Sequence, residues 1–241
     1  MKHLKILLIF TIFSLVACGQ KVQKLKPLNW VSIDIPEPSD ICYNPKTDTY
    51  FIVSDNGILF ECDNDLKIIK QNNQQNTDFE AVYVNESNVY CVDESGRNIY
   101  EYKISDFSNT QVISKPFAGA RNKGYESLTY NNDRNIYLLI TERDPAILFE
   151  LDKDFKTINQ VDISDIAKDI SSATYHEGFL WLLSDEDMQI IKLDPISYKV
   201  ISQWKIPVLS PEGITFDKNN NIVITSDDLQ RVYYFNNPEK Q

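Results

Sequence analysis

Five stretches of the chain share one arrangement of polar and apolar positions: SDICY (39–43), EAVYV (80–84), ESLTY (126–130), SSATY (171–175) and EGITF (212–216). Each leads into a polar turn rich in Asn, Asp or Lys, such as NPKTDT, NNDRN or DKNNN. A β-type run follows (YFIVSD, VYCVDE, IYLLITE, LWLLSDE, IVITSDD), then a third (ILFECD, NIYEYK, ILFELD, IIKLD, VYYFN). The first four copies add a fourth run, starting near Lys67, Gln111, Thr157 and Val200. Copies begin 41, 46, 45 and 41 residues apart. Four short strands in that period are the signature of a β-propeller blade. Alternation, β-branched and aromatic enrichment and Asn/Asp turns agree with strands. No stretch carries a helical period beyond one turn at 164–172.

The fifth copy runs out after VYYFNNPEKQ without a fourth strand. The segment NWVSIDIPEP (29–38) resembles the fourth strands and is otherwise unassigned. Pairing it with the last blade closes the ring and removes an exposed edge. The prediction is all-β: a five-bladed propeller of four-stranded antiparallel blades over 28–241, closed by the N-terminal strand, with Trp30 anchoring the closure.

Ahead of it, a basic start and the apolar run ILLIFTIFSLVA (6–17) are too short for a comfortable membrane span and read as a signal for export. The run ends in Leu15-Val16-Ala17-Cys18, which resembles a bacterial lipobox. On that reading residues 1–17 are removed, Cys18 carries lipid such as palmitate, and 18–27 tether the propeller to a membrane. The alternatives are an ordinary secretory signal or an uncleaved anchor. Gly19 lacks the Asp associated with inner-membrane retention, so the expected place is the cell envelope, on the periplasmic side of an outer membrane.

The net charge of −11 disfavours nucleic acid and anionic surfaces as partners. A monomer is expected, with a protein or small-molecule ligand that the sequence does not name. Cys42, Cys62 and Cys91 sit inside apolar segments and read as core residues rather than as disulfides or metal ligands. Only two His occur, His3 in the signal and His176. His176 follows a first strand and reads as a solvated turn residue at the mouth away from the acids discussed below.

TDFEAVYVNESNVYCVDESGRNIYEY (77–102), KGYESLTYNNDRNIYLLITERDPAILFELD (123–152), DISSATYHEGFLWLLSDE (169–186) and SPEGITFDKNNNIVITSDD (210–228) resemble the SdiA-regulated (YjiK-like) family of bacterial propeller proteins. The shared motif is D-x-E/S-G-L-x-Y followed by a V-x-D/E-E or L-S-D-E turn. Here Ala81, Ser127 and Ser172 replace the motif glycine and Gly213 keeps it. The resemblance implies the fold and often a lipobox, but no established chemistry, since the name describes regulation of a gene. More distantly the chain is similar to esterase-like phytase domains and to lactonase-type propellers that hold calcium in the central channel.

In an antiparallel blade, the residue before strand one and the residue after strand two lie on the same edge. The first set is Ser39, Glu80, Glu126, Ser171 and Glu212; the second is Asp55, Glu94, Glu142, Asp185 and Asp227. Eight carboxylates and two hydroxyls should therefore meet at one channel mouth. Turn habit is the competing explanation, because Asp and Ser bond nearby backbone amides. Two carboxylates about 6 Å apart at an effective dielectric near 20 repel by about 3 kcal/mol. Arg97, Arg143, Lys123 and Arg121 are near enough in sequence to offset this in two blades. A hard divalent cation, Ca²⁺ first, suits the oxygen set, and a water-filled acidic funnel with internal Arg pairs is the other outcome. The His inventory excludes a Ser-His-Asp triad or a His-rich zinc site at this mouth. What remains is a binding module or, alternatively, a metal-dependent hydrolase of lactonase or phosphoesterase type. Calcium-dependent lactonase propellers keep an Asn among their ligands; none aligns here, although Asn56 and Asn122 lie near.

Overall fold

The computed structural model describes residues 22–74, 76–118 and 123–240, and among them regular structure is entirely β. Blade one runs Pro38–Asn44, Thr49–Ser54, Ile58–Cys62 and Ile68–Asn73 from the channel outward. Blade two runs Phe79–Val84, Asn88–Asp93, Asn98–Lys103 and Asn109–Ser114. Blade three runs Tyr125–Asn131, Ile136–Thr141, Ile147–Leu151 and Thr157–Asp162. Blade four runs Ser172–His176, Phe179–Ser184, Gln189–Leu193 and Val200–Lys205. Blade five joins Pro211–Phe216, Ile222–Ser226 and Arg231–Phe235 to the N-terminal Asn29–Ser32. The innermost strands contact one another in ring order, and the fifth meets the first.

Burial follows the distance from the channel. Second strands such as TYFIVS and IYLLIT are buried throughout, because both faces pack against neighbouring blades. Outer strands such as TINQVD are exposed nearly throughout. Five apolar cores fill the clefts between blades; that between blades four and five holds Trp181, Trp204, Phe216 and Phe235.

The closing strand pairs as expected, Asn29 opposite Tyr234 through Ser32 opposite Arg231. Trp30, however, is 49% exposed, with the Arg231 guanidinium carbon 4.0 Å from its ring centroid. The buried anchors of the closure are Ile33 and Ile35, packed with Val223 and Val232. Part of the stretch expected as a tether is also held. Gln23–Lys24 add a fifth strand, parallel to Val200–Lys205, and Leu25 joins the core of Trp181 and Trp204. Cys42, Cys62 and Cys91 are free thiols, two of them fully buried. Cys18 and the apolar run before it lie outside the described residues, as do Arg121 and Asn122.

His176 is not a solvated turn residue. It ends the inner strand of blade four, stacks on Phe216 at 3.8 Å between centroids and lies 2.8 Å from the Asn220 side-chain oxygen. Burial lowers its pKa. It does lie at the mouth away from the acids, as the strand direction required.

Candidate functional site: an acidic channel mouth

Four of the five pre-strand residues occupy β-bulges. Register shifts fall at Ser39, Glu80, Glu126 and Glu212, each the extra residue between two paired neighbours. A bulge re-aims its side chain, and here it turns the acid into the channel while the strand continues. The post-strand acids each follow the last residue of a second strand. Their backbone N–H groups bond across the blade: Asp55 to the Glu37 carbonyl, Glu94 to Asp78, Glu142 to Gly124 and Asp227 to Ser210.

All ten residues of the two sets line one cavity of about 270 Å³. Arg143 joins them, its Nε 3.0 Å from Glu142 and its guanidinium also paired with Glu186. Arg97 does not line the cavity; it donates to the Glu94 carbonyl at 2.6 Å and lies over Phe117. Lys123 is drawn off to Asp144.

The turns themselves are capped by other side chains. Asp93 accepts from Gly96 N at 3.0 Å, and Ser184 Oγ accepts from Asp187 N at 3.2 Å. Each stands one residue before a mouth acid, so in these blades the turn-forming role falls to the neighbour and not to Glu94 or Asp185.

Two lining or adjoining acids were not anticipated. Asp169 is buried, accepts from Ser184 Oγ at 2.6 Å and from two backbone amides, and lines the cavity. Asp78 stands beside Glu80 and Glu94, with one carboxylate oxygen of each within 4.8 Å of the others. Both lie two residues before the pre-strand position, so extending the five-copy alignment by two residues would have reached them.

Every acid of the two sets has its pKa raised. For Glu80 and Glu126 burial is the largest cause, followed by neighbouring carboxylates, and both move well above the usual range. Burial, then Asp185 and Asp227, pushes Glu212 up to about 8. Asp55, Glu94, Glu142, Asp185 and Asp227 shift the same way, burial first. Arg143 offsets part of this at Glu142 and Asp185. The mouth is thus a set of oxygen donors that favours either protons or a cation.

Below it, Asp40 crosses the channel. Its Oδ2 accepts from Val82 N at 2.8 Å and its Oδ1 from Ser172 Oγ at 2.8 Å. Ser172 Oγ accepts in turn from Ile214 N at 3.2 Å, so one carboxyl connects blades one, two, four and five.

The family model for SdiA-regulated proteins matches residues 20–236, and the chain belongs to that family. No curated protein matches its sequence. Among solved structures it is similar to the glutaminyl cyclase of Myxococcus xanthus, with a TM-score of 0.72 at 12% identity over 89% of this chain and 97% of that one. It is also similar to a streptogramin B lyase, with a TM-score of 0.53 at 13% identity over 87% and 72%. At these identities the likeness speaks to the fold alone.

Proposed function

We propose that this member of the SdiA-regulated family is an exported lipoprotein, anchored through Cys18 on the periplasmic side of the outer membrane. Its propeller is a monomeric binding module whose acidic mouth holds a hard divalent cation, Ca²⁺ first. The observation that carries the metal reading is the clustering of Asp78, Glu80 and Glu94 oxygens within 4.8 Å, in a mouth where all eight expected carboxyls converge and, among the described residues, Arg143 is the one basic lining residue. All donors are oxygens, which suits Ca²⁺ better than softer metals. Bound there, the ion would offset the burial and the mutual repulsion that together raise these pKa values, and it would supply positive charge to a ligand that enters the channel.

Thermal unfolding in EDTA, and then in millimolar Ca²⁺ or Mg²⁺, tests this. A ligand of the native state at 100 times its Kd adds about 2.7 kcal/mol, a rise of several degrees. The expected result is a calcium-selective rise that Glu80→Gln abolishes. No shift in any cation, with Glu80→Gln neutral or stabilising, refutes the metal site and leaves an acidic funnel. Metabolic labelling with palmitate, lost in Cys18→Ser, tests the anchor separately.

One observation favours a second reading, a metal-dependent hydrolase. Without an ion, burial and then Asp185 and Asp227 push Glu212 up to about 8, and a nearby cation would bring it down toward the neutral range in which a carboxyl can serve as a general acid. Turnover of lactones or phosphoesters that disappears in Glu212→Gln and Glu126→Gln would establish it. Binding remains the preferred function because His176, the one imidazole among the described residues, lies at the other mouth.

A further inference from the structure

The channel has a second mouth, on the far side of Asp40, and it is built differently. The inner strands end there in an aromatic position, and a cavity of about 330 Å³ opens between them. Tyr43, Tyr83, Tyr130, Tyr175 and Phe216 line it, one from each blade, and Asp40 reaches its inner end. It shares no lining residue with the acidic mouth.

These walls are fixed before any ligand arrives. Tyr43 N donates to Thr215 Oγ1 at 3.1 Å and Tyr175 N to Thr129 Oγ1 at 2.9 Å, so each tyrosine is tied to a neighbouring blade. The Tyr83 and Tyr130 rings, from adjacent blades, stand 6.2 Å apart. Two hydroxyls point their protons at rim carboxylates: Tyr43 to Asp48 at 2.6 Å and Tyr175 to Asp133 at 2.7 Å. Donation to an anion leaves the phenol ring richer in electrons and its face more attractive to positive charge.

The electrostatics point the same way. Lys218 is the one Lys or Arg in the lining among the described residues, and it is committed to Asp48 at 2.7 Å. His176 is kept neutral by its burial. Asp217 adds a carboxylate to the rim, and the whole chain carries −11. Among the described residues an anion finds no available charge partner in this lining, and four blades each contribute a half-buried tyrosine, more than a neutral apolar ligand needs.

We propose that this second mouth binds an organic cation of the alkylammonium class, its head held against the tyrosine rings above Asp40. Choline is the probe, and its uncharged isostere 3,3-dimethylbutan-1-ol the control, each titrated into the protein at matched ionic strength and followed by NMR. The expected result is saturable choline binding, about tenfold or more tighter than the alcohol. Tyr83→Leu and Tyr130→Leu should each weaken choline about tenfold and leave the alcohol unchanged. Tyr83→Phe, which keeps the ring, should stay within about threefold of the wild type. Equal affinity for the two probes would overturn the proposal, since shape alone would then explain binding. So would the lack of saturation, or insensitivity to both Leu variants. Loss of choline binding in Glu80→Gln would also overturn it, by placing the cation at the acidic mouth.

Discussion

Asp40 offers the sharpest test of the channel's construction. It is 3% exposed and burial pushes its carboxyl up to about 8, against the lowering effect of its bonds to Val82 and Ser172. The unfolded chain titrates the same group near 3.9. Below that value both states are protonated. Between the two values the native state holds a proton that the unfolded state has released, so stability falls as pH rises and levels off above about 8. Near the middle of that window one group contributes a slope of about 1.4 kcal/mol per pH unit. From pH 5 to 7 that amounts to about 2.5 kcal/mol.

Asp40→Asn removes the titration and keeps a side-chain oxygen to accept from Val82 N. Its amide must turn the Ser172 hydroxyl, which now donates to Asp40 and accepts from Ile214 N, and this adds an offset of about 1 kcal/mol that does not depend on pH. The mouth acids also have raised pKa values and give a slope of the same sign, but wild type and variant share it. Urea unfolding of both proteins at pH 5, 6, 7 and 8, in EDTA, therefore isolates Asp40 in the difference. Wild type minus variant should fall by about 2–3 kcal/mol between pH 5 and 7. A difference that stays constant across the range refutes a buried protonated carboxyl at the channel centre.

Three further outcomes follow from packing. At Gly213 an added Cβ would lie 2.5 Å from Thr225 Oγ1, 2.7 Å from Ile41 N and 2.8 Å from Asp40 Cα, so Gly213→Ala should cost about 1–3 kcal/mol by urea unfolding. A neutral result would mean that blades one and five are not in the close contact seen here. Ile35→Ala, at a fully buried position of the closure, should cost about 2–5 kcal/mol, whereas Trp30→Ala should cost about 1 kcal/mol or less; the reverse order would restore Trp30 as the anchor. Glu150, with 4% of its side chain exposed, is held by Arg134 Nη2 at 2.9 Å and by the Tyr198 hydroxyl at 2.6 Å. Arg134→Met should therefore cost about 3–5 kcal/mol, with Glu150→Gln in the same chain recovering part of it; equal stability of single and double variants would show no buried charge is stranded.

The ring was legible because its signal is redundant. Five copies of one strand–turn–strand pattern fix the period, and the missing fourth strand at one end matches the spare strand at the other. Single-residue features were harder to read. Asp78 and Asp169 occupy the first position of the D-x-E/S motif, but an alignment begun at the following acid stops short of them. Trp30 looked like an anchor because of its size, yet its register opposite Tyr233 turns it outward. Gln23–Lys24 carry too short a pattern to announce a strand, and only Leu25, buried against blade four, explains why the chain is held there. The place of His176 after a first strand says nothing of the ring stacked beneath it.

Asp40 and the bulges belong to one problem that simple alternation conceals. A strand of period two places Glu80 and Val82 on one side, which would bury the acid with the valine or expose both. The extra residue at the bulge separates the two demands. Position one then faces the mouth in four blades, while the next position, occupied by Asp40, Ala81, Ser127, Ser172 and Gly213, is buried beneath it, with Asp40 crossing the channel. Among these five positions only one carries a large group. Blade one supplies it, Ser172 answers it with a hydroxyl, and Gly213 gives up its side chain entirely because the backbone of residues 40 and 41 lies where a Cβ would go. The one glycine retained in the motif is thus explained by the one carboxyl inserted into it, and together they divide the channel into an acidic mouth and an aromatic one.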